Sequence, residues 1–160
     1  MNPLNRREFL AAVAAAAALC GVCGAADVLA DIPSTQPSDA PTIVAIGQKS
    51  DYTQDGITTT WIKPPSKLIV VRHEGKIFAL TSVCTHRGGM LFKRDGEMAL
   101  ECKRHHATFD IEGKVTAPPA RIALARYAIS TDDSGNLSVD KSKTFAADQW
   151  NDPASFVAIA

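Results

Sequence analysis

The sequence has no excess of charge of either sign. Seventeen lysines and arginines balance seventeen aspartates and glutamates over the whole chain, and fifteen balance fifteen over residues 31–160. Aromatic residues make up 6% of the chain, and no basic stripe is interleaved with them. Nucleic-acid binding depends on clustered positive charge, and single-strand binders add aromatic side chains on which bases stack. We therefore expect no nucleic-acid partner.

Beyond residue 30 the sequence also lacks helical periodicity and internal repeats. Short β-branched or alternating runs are instead separated by turn signals such as Gly75 and Asp95-Gly96, which is typical of strands and hairpins. The predicted strands are 43–46, 58–62, 68–72, 76–80, 97–102, 107–111, 124–130 and 137–139. About a hundred such residues can bury one modest core, so we expect a single all-β domain over residues 42–140. Trp150 and Phe156 indicate that the tail, residues 141–160, packs back onto it.

Long apolar runs are absent except near the N-terminus, where residues 9–26 are uncharged and rich in alanine. Just before them, Arg6-Arg7-Glu8-Phe9-Leu10 is similar to the twin-arginine export motif. We therefore predict a signal peptide over residues 1–30 and a proline-containing linker over residues 31–41. An ordinary secretory signal is one alternative. Retention as a membrane anchor is another, because about eighteen apolar residues reach the lower limit of a membrane span, although alanine inserts weakly and favours cleavage.

Cysteine and histidine are both scarce, at four residues each. Cys20 and Cys23 fall within the N-terminal apolar stretch, where we interpret them as apolar filler. The other two cysteines stand beside histidines in Cys84-Thr85-His86 and Cys102-Lys103-Arg104-His105, with fifteen residues between the two groups. Each group offers one thiolate and one imidazole, so together they predict a metal site with four protein ligands.

This C-x-H and C-x-x-H pair strongly resembles the motif of the Rieske family, in which about fifteen to seventeen residues separate the two parts. The resemblance continues through Phe109-Asp110, the turn at Gly113 and the prolines at 118 and 119, and it covers about residues 42–139. It implies an antiparallel β-sandwich whose cluster-binding subdomain is formed by two ligand loops and a proline loop.

The resemblance also implies one [2Fe-2S] cluster. Cys84 and Cys102 would bind the buried iron, and His86 and His105 would bind the outer iron. Gly88 and Gly89 allow backbone conformations with positive φ, and without a β-carbon they let the backbone approach the cluster closely. The same four ligands also suit tetrahedral zinc. Zinc modules more often use C-x-x-C with paired histidines, so zinc remains the less favoured alternative.

As a member of this family the chain would transfer one electron at a time and would not itself be an enzyme. Two departures favour an exported ferredoxin, or a small electron-transfer subunit, over the iron–sulfur subunit of a quinol-oxidising cytochrome bc-type complex. Gly89 and Arg104 stand where those subunits carry a disulfide between the ligand loops. Ala107 and Phe109 stand where they place hydroxyl donors, so we expect a reduction potential in the lower half of the family range.

A third function, the catalytic subunit of a Rieske oxygenase, is excluded by what the chain lacks. Such a subunit needs a second, mononuclear iron held by two more histidines and a carboxylate. Only His73 and His106 are spare, and there is no room for the large second domain that would hold that iron.

Local charge indicates a partner where net charge does not. Basic residues occur in and between the ligand loops, at Arg87, Lys93, Arg94, Lys103 and Arg104. They are either an ordinary solvated face or a basic rim that steers an acidic redox protein toward the exposed histidines. We expect a periplasmic location, or a membrane-anchored one facing the periplasm if the N-terminal segment is retained.

Overall fold

The computed structural model describes residues 42–159. The predicted signal peptide, its twin-arginine motif and the linker lie outside these residues. In the part described, eleven strands account for nearly all regular structure, and the helices are three short 3-10 turns. None of the helices in this part has the length and apolar character needed to cross a membrane.

The strands follow one another with short connections. Their bounds are β1 Ile43–Gln48, β2 Gly56–Thr58, β3 Leu68–His73, β4 Lys76–Thr81, β5 Leu91–Lys93, β6 Ala99–Cys102, β7 Thr108–Asp110, β8 Val115–Ala117, β9 Arg126–Thr131, β10 Asn136–Phe145 and β11 Val157–Ala158. The 3-10 helices span Lys49–Asp51, Ala147–Gln149 and Pro153–Ser155.

Two antiparallel sheets result. The larger has seven strands in the order β1-β10-β9-β4-β3-β2, with β11 added against β4, and the smaller has four in the order β5-β6-β7-β8. The all-β prediction is therefore confirmed.

The central pair β3 and β4 is apolar on both faces, which explains its continuous hydrophobic sequence. Ile69, Val71, Phe78 and Leu80 point toward the smaller sheet and form one core with its residues. The alternate residues of the same strands point the other way into a second core, and these are Leu68, Val70, Ile77 and Ala79. Each fully buried aliphatic side chain contributes about 1.5–3 kcal/mol to stability, so β3 and β4 join the two halves of the molecule.

The larger sheet curls over the second core. Ile46 of β1, Val139 of β10 and Ile129 of β9 share that core with Val70 of β3, although β1 and β3 lie far apart in the strand order. One sheet can bury residues of its edge strand β1 and of β3, four places away, in a single core only if it bends round, as strand twist favours.

The turn between β3 and β4 has the backbone conformation that its glycine predicts. Glu74 and Gly75 connect β3 to β4 with φ of 48° and 71°. Two consecutive positive φ values are characteristic of the type I′ turn, whose twist matches that of the flanking strands.

One strand was predicted in the wrong place. The run Thr58-Thr59-Thr60-Trp61-Ile62 favours a strand, but pairing with β3 ends at Thr58. The chain then turns, with the N–H of Ile62 donating to the carbonyl of Thr59 at 3.1 Å. The turn lets Trp61 pack on the second core and Ile62 on the first. Tertiary packing thus overrides the β propensity of the threonines.

Three short strands were missed, and one is longer than predicted. β5, β8 and β11 have two or three residues each, too few to show alternation. β10 extends to Phe145 through a register shift between Asp140 and Thr144, so polar residues occur within the strand. The segment after it returns to the sheet, where Val157 pairs with Ile77 and Trp150 is buried.

Candidate metal centre

The first ligand loop connects β4 to β5 and is closed by its own backbone. The N–H of Cys84 donates to the carbonyl of Gly89 at 2.8 Å, and the N–H of Gly88 donates to the carbonyl of Cys84 at 2.9 Å. Gly88 has φ of 66°, a left-handed conformation that favours glycine. Cys84 is consequently held at a fixed position at the base of the loop.

The second ligand loop is the tip of the hairpin between β6 and β7. The N–H of Cys102 donates to the carbonyl of Ala107 at 2.9 Å, and the N–H of His106 donates to the carbonyl of Cys102 at 3.0 Å. His106 has φ of 59°. Glycine adopts this left-handed conformation freely, and a histidine tolerates it at some cost in strain.

The two loops approach each other most closely at Gly89. A β-carbon on this residue would lie 2.7 Å from Sγ of Cys102 and 3.0 Å from Cβ of Arg104. Unlike Gly88, Gly89 is not in the left-handed region, so of the two glycines only Gly88 uses the positive φ that glycine allows. Glycine is required here because there is no space for a side chain.

A side-chain hydrogen bond also connects the loops. Nη1 of Arg104 donates to the carbonyl oxygen of Arg87 at 3.1 Å. Arg104 and Gly89 are the positions at which the resemblance would place a disulfide in quinol-oxidising relatives. In this chain Gly89 packs closely against Arg104, and the hydrogen bond of Arg104 goes to Arg87 in the same loop as Gly89.

Both cysteines are free and buried, with exposed fractions of 2% for Cys84 and 1% for Cys102. Burial raises the pKa of the Cys84 thiol, and the adjacent Cys102 raises it further. The backbone N–H groups of His86 and Arg87 act against this rise because they donate hydrogen bonds to the Cys84 sulfur. Such donors stabilise a thiolate, the form that binds metal.

The two histidines lie side by side at the loop tips. The ring centroids of His86 and His105 are 4.9 Å apart, with the planes at 75°. Nδ1 of His86 is buried and has no hydrogen-bond partner, whereas His105 is exposed. Desolvation and the neighbouring charges, first His86 and then Arg87 and Arg104, lower the pKa of His105. A lowered pKa favours the neutral imidazole that can bind a metal.

A third segment supports the site from the side. Oγ1 of Thr85 donates to the carbonyl of Ile122 at 2.6 Å, which ties the first ligand loop to the chain just after the two prolines. Ala120 from this proline loop is buried in the same core as both cysteines. In the sequence Thr85 is only the residue between the candidate ligands Cys84 and His86. Its hydroxyl group is the one local feature that could have indicated this supporting contact.

The four candidate ligands are therefore brought to one end of the molecule, with the sulfurs inside and the imidazoles outside. This arrangement suits a metal group that is bound by two buried thiolates on its inner side and by two imidazoles on its outer side. The buried Nδ1 of His86, which has no hydrogen-bond partner, is available for such binding. Among residues 42–159, no three His, Cys, Asp or Glu side chains are grouped as ligands of a single metal ion.

The predicted basic rim is smaller than its sequence suggests. Arg94 lies in ion pairs with Glu97 at 3.0 Å and Glu101 at 3.4 Å, so its charge is compensated locally. Arg87, Lys103 and Arg104 remain exposed around the ligand loops, and Lys93 is exposed at the end of β5. Next to them, Ile122 is an exposed apolar residue with 70% of its surface accessible.

Comparison with known proteins agrees with this site. A model of the Rieske [2Fe-2S] domain matches residues 42–128. The cytochrome b6-f complex iron-sulfur subunit of Chlorobaculum tepidum is 28% identical over 90 residues, or 56% of this chain and 49% of that protein. The subunit of the same name from Prochlorococcus marinus subsp. pastoris is 32% identical over 85 residues, or 52% and 48%. The chain spans about half the length of these relatives.

Two solved structures are also similar. The cyanobacterial plasma membrane Rieske protein PetC3 from Synechocystis has 28% identity and a TM-score of 0.47, covering 60% of this chain and 97% of its own. A chain from the complex of reduced oxygenase and oxidized ferredoxin in carbazole 1,9a-dioxygenase has 20% identity and a TM-score of 0.46, covering 65% and 97%.

Gly89→Ala is expected to prevent iron from being retained, because the added methyl group would overlap Sγ of Cys102 and force the ligand loops apart. Gly56→Ala is the matched control, since a β-carbon there would meet only the carbonyl oxygen of Gln54 at 3.9 Å and Gly56 is not in the left-handed region. Iron and acid-labile sulfide per chain, measured on both purified variants, check this. Full occupancy in Gly89→Ala would contradict the role given to this contact.

Proposed function

This chain belongs to the Rieske [2Fe-2S] family, and from that premise we propose that it is an electron carrier serving a protein partner, with no catalysis of its own. It is a Rieske iron–sulfur protein with one [2Fe-2S] cluster. When bound, such a cluster supplies one reversible electron at a potential of about −150 to +300 mV. The observation that carries the proposal is the pairing of two buried sulfurs with two adjacent imidazoles, one of them exposed.

We assign the ligands as Cys84 and Cys102 on the inner iron and His86 and His105 on the outer iron. The buried sulfurs and their backbone donors support the inner assignment, and the unpartnered Nδ1 of His86 supports the outer one. Zinc is not favoured, because the family match is to a two-iron domain. Exposure of His105 would let a partner approach this edge of the site directly.

The docking face that we propose surrounds the two histidines. Arg87, Lys103 and Arg104 supply positive charge there, and Ile122 supplies an exposed apolar contact. Such a surface suits an acidic redox protein, since charge complementarity steers the encounter and a small apolar patch stabilises the complex.

A second candidate function is the iron-sulfur subunit of a quinol-oxidising complex. The names of the relatives from Chlorobaculum tepidum and Prochlorococcus marinus favour it. The absence of the loop disulfide and of hydroxyl groups at Ala107 and Phe109 favours the ferredoxin-type carrier instead. We propose the carrier first, because these two features bear directly on the cluster.

Replacing each proposed ligand by alanine tests the assignment. Cys84→Ala, His86→Ala, Cys102→Ala and His105→Ala should each abolish assembly, whereas His73→Ala should retain two irons and two sulfides per chain. Metal analysis and the electron paramagnetic resonance spectrum of the reduced protein check both. Zinc in the unsubstituted protein, or iron without sulfide, would refute the assignment.

Reduction potential separates the two candidate functions. Ala107→Ser and Phe109→Tyr should each raise the potential by adding a hydroxyl donor near the cluster. A hydrogen bond worth roughly 1–3 kcal/mol, in a one-electron couple where about 59 mV is a tenfold change in equilibrium, corresponds to a rise of about 40–130 mV. A redox titration of the holoprotein measures it. An unsubstituted protein already near the top of the family range would support quinol oxidation instead.

We further propose that residues 1–30 are a twin-arginine signal and that the protein acts in the periplasm, either soluble or anchored there. Changing Arg6-Arg7 to Lys-Lys should leave the precursor in the cytoplasm, because that route requires both arginines. Cell fractionation shows where the protein accumulates. Unaltered export would contradict the proposed route, and the mass of the exported chain would distinguish cleavage from retention.

A further inference from the structure

Arg126 is a buried cation at the start of β9, with 3% of its surface exposed. Its guanidinium lies between two aromatic rings. The guanidinium carbon is 3.7 Å from the ring centroid of Phe78 and 4.4 Å from that of Trp150. Both rings pack against the guanidinium, whose N–H donors lie in its plane.

These donors have almost no acceptors. Nε has no hydrogen-bond partner, and Nη2 reaches the carbonyl of Glu112 at 3.5 Å, the long limit for a hydrogen bond. Within the described residues, no carboxylate forms an ion pair with Arg126. Burial lowers the pKa of Arg126 to about 10. A buried charge without a partner destabilises the folded protein, and buried donors in proteins are almost always hydrogen-bonded. A bound ligand could supply the acceptor that the chain itself does not.

A cleft of about 210 Å³ opens beside this guanidinium. A water molecule takes up about 30 Å³ in the liquid, so the cleft has room for a small organic ion. Phe78 and Trp150 line it together with Arg126. Nε1 of Trp150 is also buried and without a partner.

The charges around the cleft select the ligand. Lys76, Lys114 and Arg126 contribute positive charge, and Glu74 and Glu112 contribute negative charge. Lys114 is bonded to Glu112, so among the lining residues one positive charge is left over when His73 is neutral, and the Asp110 carboxylate acts on Arg126 from outside the lining. This excess matches a monoanion, whereas a dianion would be repelled by the two glutamates.

We propose that this cleft binds a small monocarboxylate, whose two oxygens accept hydrogen bonds from the edge of the Arg126 guanidinium. Guanidinium and carboxylate have matching planar geometry. The cleft adjoins Glu112 and Lys114 in the turn after β7, whereas His105 and His106 precede β7 at its other end. This site is therefore separate from the metal centre and does not depend on the ligand assignment.

Nuclear magnetic resonance of the oxidised holoprotein tests the proposal. The chain has two tryptophans, so Trp61→Phe identifies the indole N–H signal of Trp150. Sodium acetate is the probe, titrated at constant ionic strength against sodium chloride. We expect a saturable shift of the Trp150 signal. Arg126→Gln should weaken acetate binding by at least about tenfold, since a charge-assisted hydrogen bond is lost.

A second variant and a control test the proposal even if Arg126→Gln does not fold. Lys114→Gln changes an exposed side chain and should weaken binding severalfold, because it leaves the Glu112 carboxylate without its partner and that negative charge repels an anion in the cleft. Arg121→Gln, also at an exposed position, removes a cation outside the cleft and should leave binding unchanged. No saturable shift with acetate, equal binding by Lys114→Gln and the unsubstituted protein, or tighter binding of inorganic phosphate than of acetate would each overturn the proposal.

Discussion

The contact between Gly89 and Cys102 is the constraint on which the rest of the site depends. Two sulfur atoms from distant parts of the chain can occupy one buried site only if their loops meet without a side chain between them. The backbone hydrogen bonds that close each loop then fix the sulfurs where they stand. The imidazoles are left on the outer side, His86 half-buried and His105 exposed.

The two sheets make this contact possible. The small sheet carries Cys102 at the end of β6 and packs against one face of β3 and β4. The chain continues from β4 into the loop that holds Cys84. Because the cysteines belong to the same core as Phe109 and Leu80, the energy that packs the sheets also holds the sulfurs in place. The opposite end of the small sheet adjoins the stacked Arg126, so the domain has separate polar features at its two ends.

The differences from the quinol-oxidising pattern have physical consequences. Where a disulfide would link the loops covalently, Arg104 makes a hydrogen bond to Arg87, which water and salt can weaken. With Ala107 and Phe109 in place of hydroxyl-bearing residues, fewer donors are available to stabilise the reduced state. Similarity to cytochrome b6-f subunits extends over about half of those proteins, and these local features bear on which function the shared domain performs here.

Strand alternation and the cysteine–histidine spacing are local properties, so the sequence alone indicated the class of fold and the candidate ligands, and its resemblance to the Rieske family implied the cofactor. It correctly indicated β3, β4 and the turn at Gly75. Tertiary structure decided where β2 stops, since the cores on either side draw in Trp61 and Ile62. It also decided why Gly89 must be glycine, that Arg94 is neutralised by its neighbours, and that Arg126 is buried between aromatic rings. The contacts of Gly89 and Arg126 join residues far apart in the chain, which no local pattern records. The partners of Arg94 are close in sequence, but the hairpin between β5 and β6 sets which of them it meets.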